Sequence, residues 1–127
     1  MIEYKLMNKY AGTDKDIHTR IHKFVVSCFI NVARKIPKSP ENIPIIKQVS
    51  ASLTSMGAND QEADAANSNK DFISKYTIVK KETKETKYWL TFIRDTAMVE
   101  GTIVDPYIKE SQEILLIVSK IIQNSKD

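Results

Sequence analysis

A single cysteine, three glycines and four prolines among 127 residues remove several classes of protein at once. Cys28 has no second thiol to pair with, so an intramolecular disulfide is excluded, which suits a reducing compartment. Its neighbours Val25, Phe29 and Val32 predict a buried, inert thiol. So few glycines and prolines leave little material for the turns of an all-β protein, and helices are expected instead. Long apolar runs are missing too. The longest, Ile114–Val118, is far below the ~20 residues that span a bilayer. The opening Met1-Ile2-Glu3-Tyr4-Lys5 has no apolar core of signal-peptide length. A cytoplasmic protein without a membrane partner is the expectation. There is no glycine-rich phosphate loop and no nucleophile elbow. The two histidines, His18 and His22, share one predicted helix, and neither follows a glutamate by three residues as a di-iron bundle requires. No cofactor or metal is expected, and both histidines are expected at the surface or at a subunit contact.

What is present describes a globular chain. Hydrophobic residues make up 42% and charged residues 28%, which excludes disorder on composition. The length fits one domain over residues 1–127, burying roughly two-thirds of its unfolded surface. The formal charge of +3 is mildly basic, compatible with an anionic partner without demanding one.

Residues 1–13 lack a clear period and form an N-terminal extension. Asp14 is the expected N-cap of a helix over about 14–36, in which Ile17, Ile21, Phe24, Val25, Cys28, Val32 and Ile36 recur at helical spacing before Pro37 stops it. A second helix runs over about 41–66 with Ile43, Ile46, Val49, Leu53 and Met56 on one face, Pro44 being tolerable only near its first turn. Gly57 divides the local reading evenly. It either closes that helix, with Asn59 capping a new one, or sits inside a continuous helix for a packing reason. Ser68-Asn69-Lys70-Asp71 resembles a capping box and opens a third helix over 69–95, with Phe72, Tyr76, Val79, Thr83, Thr86, Leu90 and Ile93 facing the core. Asp105-Pro106 marks a fourth helix over about 106–125. Its Ile108, Ile114, Leu115, Ile117, Val118, Ile121 and Ile122 cover more than the ~100° stripe one core needs, which suggests a second buried surface between subunits. Four helices with short connections predict an antiparallel up-down-up-down four-helix bundle.

Two sets of polar residues stand out. Asn59 and Glu62 share a face of the second helix, and Lys75 and Glu82 lie a heptad apart at the edge of the apolar face of the third. With Glu85 nearby, they predict a buried polar network that sets the bundle's register, since a buried ion without a partner costs roughly several kcal/mol. The competing reading of those carboxylates is a ligand or catalytic site. The second set is basic. Lys80, Lys84 and Lys87 form a stripe on the third helix, and Arg20, Lys23 and Arg34 add charge to the first. Residues 1–40 carry a net +5 and residues 70–87 a net +3, while the other two segments are acidic. Such a stripe can track a phosphate backbone. The competing reading is a solvated face on which Lys81 pairs with Glu85, without interleaved exposed aromatics.

The order of these pieces resembles the 23S ribosomal RNA intervening-sequence proteins, a bacterial four-helix-bundle family. The resemblance lies in Ile36-Pro37-Lys38, in Ser55-Met56-Gly57-Ala58-Asn59 with Glu62-Ala63, in Ser68 through Phe72, and in Lys81-Glu82, Glu85-Thr86 and Tyr88-Trp89-Leu90, and runs over about residues 8–125. It implies a second helix continuous through Gly57, a left-handed bundle, and assembly as a homopentamer. A related bundle, the accessory variability protein of diversity-generating retroelements, binds nucleic acid and a reverse transcriptase. This chain has Val49-Ser50-Ala51-Ser52-Leu53 where the family commonly places basic residues, so the resemblance carries no nucleic-acid contact onto that part of the surface.

The expectation is therefore a non-enzymatic, oligomeric binding or scaffold protein, with RNA held through Lys80, Lys84, Lys87 and the basic residues of the first helix. The alternatives are a scaffold for a protein partner, such as a nucleic-acid enzyme or ribosome-associated factor, and a metal- or small-molecule-dependent enzyme using the inward glutamates.

Overall fold

The computed structural model describes residues 16–126. Among them are four α-helices and no strand: α1 (Ile17–Asn31), α2 (Ile43–Asp64), α3 (Asn69–Asp95) and α4 (Gly101–Ser125), with a short 3-10 turn at Ala33–Lys35. The N-terminal extension and the cap expected at Asp14 lie outside the described residues. Asp16 caps α1 instead, accepting the Thr19 N–H at 2.9 Å. The helix also ends five residues before the expected 36. Ile36 precedes Pro37 and takes an extended conformation, so the chain tightens into the 3-10 turn rather than continuing as α-helix.

α2 runs unbroken through Gly57 and carries Pro44 in its first turn, where no intrahelical N–H is lost. Ile43, expected on its apolar face, is exposed. α3 begins under Ser68, whose hydroxyl accepts the Asp71 N–H at 3.1 Å. All seven residues expected on its core face are buried. The helix closes in a Schellman arrangement, with Met98 N–H on Ile93 O and Ala97 N–H on Arg94 O, both at 3.0 Å. Ala97 takes the left-handed position at φ 59°.

α4 corrects the expected start at Pro106. Glu100 O accepts the N–H groups of both Ile103 and Val104, so the helix begins at Gly101 and Pro106 lies inside it. Pro106 has no N–H to give Thr102 O, and the helix accepts that loss near its open end. Asp105 is no cap but an ion-pair partner of Arg94 at 3.1 Å.

Hydrogen-bonded partners on facing helices step in opposite directions along the chain. Ser52–Thr86, Ser55–Glu82 and Asp60–Tyr76 set α2 antiparallel to α3. Lys87–Gln112 and Arg94–Asp105 do the same for α3 and α4. α1 packs on α2 and α4 and lies diagonally across from α3. The core is the shared interior: Ile21, Phe24, Cys28, Leu53, Met56, Tyr76, Val79, Leu90, Ile114 and Val118 are all buried. Burial pushes the Cys28 thiol up to about 12, which keeps it protonated and unreactive. No described helix is long and apolar enough to cross a membrane.

Candidate functional site

The acidic side chain that the structure buries is not one that the sequence singled out. Asp60, on α2, is 1% exposed. Its Oδ1 accepts the Tyr76 hydroxyl of α3 at 2.7 Å and lies 2.8 Å from His18 Nδ1 of α1. One carboxylate oxygen thus ties three helices together. The carboxylate can only accept there, so Nδ1 carries a proton. On the far side of the ring, Nε2 lies 3.1 Å from Asp64 Oδ1, one turn along α2, at ion-pair distance but outside hydrogen-bonding geometry. Flanked by two carboxylates, the ring favours the imidazolium. Burial works against that charge, but the Asp60 hydrogen bond and the charges of Asp60, Asp64 and Asp16 outweigh it and raise the His18 pKa. Burial, reinforced by the Asp60 charge and hydrogen bond, holds the Tyr76 hydroxyl far above its usual value. Asp60 Oδ2 has no hydrogen-bond partner among the described residues. His18 is therefore an intramolecular tie and not the surface histidine expected; His22 is exposed.

The expected buried network resolves into two separate groups at the α2–α3 edge. Glu62 meets Lys75 at 3.1 Å, but Glu62 is exposed and Lys75 half-buried. Glu82 accepts the Ser55 hydroxyl at 3.2 Å, and Asn59 donates to Ser55 O at 2.9 Å. Glu85 joins neither group and faces the Trp89 indole N–H at 3.4 Å. The heptad argument set the azimuth of these residues correctly but overestimated their depth, because a residue at the edge of an apolar stripe reaches solvent with its long side chain. Asp60 is one position beyond Asn59 and could have been found by its place in the Met56–Asp60–Ala63 repeat, an acidic residue on the core face that demands donors. Among the described residues no group of three His, Cys, Asp or Glu side chains is arranged to hold a metal.

The basic residues also divide. Arg20 is bound bidentately by Glu110 at 2.7 and 2.8 Å and reaches Glu113 at 2.9 Å, which spends its charge on the α1–α4 contact. The Glu110 hydrogen bond, stronger than the opposing burial and aided by Glu113, raises its pKa further. Lys23 is exposed. Arg34 is exposed, with its guanidinium 5.5 Å from the Phe29 ring centre. On α3, Lys80, Lys81 and Lys84 are exposed and join no ion pair among the described residues. The Lys81–Glu85 pair of the competing reading does not form. Lys87 turns toward α4 and donates to Gln112 Oε1 at 2.6 Å, a neutral partner that leaves its charge in place. The basic faces of α1 and α3 belong to diagonal helices, so the six cations expected to act together do not form one surface.

The sequence missed one member of the α3 face. Tyr88 is 58% exposed and follows Lys84 by four residues. The sequence signal was there, in Tyr88 lying opposite the Val79–Leu90 core line.

Fold and geometry define an all-α arrangement, among the described residues, of four helices, each packed on its neighbours, with a buried three-helix polar tie and a basic outer face on α3. The chain belongs to the 23S rRNA-intervening sequence protein family, whose model matches residues 13–120. It is similar to the crystal structure of a protein of unknown function from the S23 ribosomal protein family of Bacteroides thetaiotaomicron VPI-5482. The two are 31% identical, the match covers 84% of this chain and 95% of that one, and the TM-score is 0.75. No curated protein sequence matches the chain. The resemblance read from Ser55 through Asn59 and from Tyr88-Trp89-Leu90 therefore identified the family.

Proposed function

We propose that this protein is a non-enzymatic, oligomeric binding protein of the rRNA intervening-sequence type that contacts RNA through the outward face of α3 in the cytoplasm. The observation that carries the reading is the set Lys80, Lys81 and Lys84, three exposed cations within five residues of one helix, none neutralised by an ion pair among the described residues. Glu82, the acidic residue between them, and Glu85, which follows Lys84, are turned toward Ser55 and Trp89 instead. A surface so arranged displaces counterions from a phosphate backbone, and its binding weakens steeply with salt. Arg20 is left out of this surface because Glu110 and Glu113 hold it.

A homo-oligomer, with the pentamer as the expected form, is supported by apolar side chains that the single chain leaves uncovered, among them Val26 and Ile30 on α1 and Ile103 on α4. The same residues support the alternative, a scaffold whose partner is another protein. The test is anisotropy of a labelled structured rRNA fragment across a salt series. Lys80→Glu with Lys84→Glu abolishes binding, while Arg20→Ala leaves the salt slope unchanged. No binding of the unaltered protein at low salt defeats the RNA reading and leaves the protein scaffold.

A further inference from the structure

We infer that the α3 face takes unpaired RNA, with Tyr88 as the platform on which a base stacks and Lys84 and Lys81 as the flanking phosphate contacts; this rests on the RNA-binding reading above. Lys81, Lys84 and Tyr88 fall at i, i+3 and i+7, which places them on one outward line of the helix. Tyr88 is not needed by the fold. The core face of α3 is filled from Phe72 to Ile93 on the opposite side, and Tyr88 is 58% exposed.

The ring is nevertheless held. Its centre lies 5.0 Å from that of Trp89 at an interplanar angle of 70°, and 6.4 Å from Phe92. Trp89 and Phe92 are themselves 6.0 Å apart and edge-on, so each of the three rings touches the other two. Trp89 and Phe92 are half-buried, and Trp89 packs against the core. The cluster thus props a flat apolar surface outward at little further entropic cost on binding. An exposed ring among lysines has no use against an A-form duplex, which offers phosphates and 2′-hydroxyls with its bases stacked inside. Unpaired bases stack readily on aromatic side chains, and without strong sequence preference. Charge and ring together therefore select single-stranded segments or loops.

The test uses the full chain with two fluorescein-labelled probes, a twelve-nucleotide oligouridine and a hairpin duplex of equal charge, each titrated across a salt series. The single strand binds more tightly than the duplex. Tyr88→Ala weakens the single strand by about tenfold, in line with stacking on one residue, leaves duplex binding alone and does not change the salt slope. Tyr88→Phe restores binding. Lys84→Ala lowers the salt slope by about one. The chain has a single tryptophan, so the emission of Trp89 shifts with the single strand and not with the duplex. RNA binding that is equal for Tyr88→Ala and the unaltered protein, or duplex binding as tight as single-strand binding, overturns the stacking role while the RNA reading stands. Failure of both probes to bind at low salt overturns both.

Discussion

Tyr76 donates its hydroxyl to Asp60 Oδ1 at 2.7 Å across the α2–α3 contact, with both side chains out of reach of solvent. Removing Asp60 strands the Tyr76 hydroxyl in a medium that cannot hydrate it, whereas removing that hydroxyl leaves Asp60 with His18. Asp60→Ala leaves the Tyr76 hydroxyl without its acceptor and His18 without its nearer carboxylate, and lowers stability by roughly 3 kcal/mol. Tyr76→Phe removes one donor and costs about 1 kcal/mol. Urea midpoints of the two single variants and the double variant test the link. A double variant as stable as Asp60→Ala shows the pair acting as one unit, whereas additive losses show it does not.

Stability falls as the solution becomes alkaline through the range of His18. The folded-state pKa of His18 is raised above its ordinary value of 6.5, so the folded chain holds this proton more tightly than the unfolded chain. The contribution is complete below that value and is lost as pH rises through the folded-state pKa. The groups facing the ring are Asp16 from the cap of α1, Asp60 and Asp64 from α2, and Tyr76 from α3. His18→Gln removes the dependence that sets in above 6.5. Urea unfolding at a series of pH values reads it directly, and a slope that survives in His18→Gln assigns it elsewhere.

The contrast between α3 and the polar tie shows what the chain makes legible. α3 was readable almost to the residue, because a Ser68 cap and a seven-residue apolar period both report short-range rules that tertiary packing does not override. Gly57 was undecidable locally, since a glycine serves equally as a C-cap and as an interior residue, and only the family motif favoured the continuous helix that α2 shows. The start of α4 was misplaced because Asp105-Pro106 is a valid start signal that the helix overruns. The depth of Asp60 was legible in its repeat, but its pairing with His18 and Tyr76 was invisible because the members are separated by up to 58 positions along the numbering from His18 to Tyr76. No local pattern couples them; only the packing of α1, α2 and α3 does.

Ala97 occupies a conformation that suits glycine. Its φ of 59° places Cβ against the backbone, and non-glycine residues in this region are disfavoured by about 1 kcal/mol. The Schellman hydrogen bonds of Met98 and Ala97 require the turn, so the strain persists. Ala97→Gly raises stability by about 1 kcal/mol with unchanged helix content, as thermal unfolding followed by circular dichroism will show. A loss of stability means that the methyl group contributes more by its packing than it costs in strain.

Gly57 presents the opposite case. It sits inside α2, where glycine is disfavoured relative to alanine by about 1 kcal/mol, yet a Cβ there would meet only Val25, at 3.6 Å, an ordinary contact. The α1–α2 packing does not require the glycine. Gly57→Ala therefore stabilises the folded chain by up to about 1 kcal/mol, read from urea midpoints. The same variant separates folding from assembly. Light scattering that shows an unchanged mass means the glycine serves neither. A smaller mass with a more stable chain means that the α1–α2 packing at this position also sets the contact between subunits.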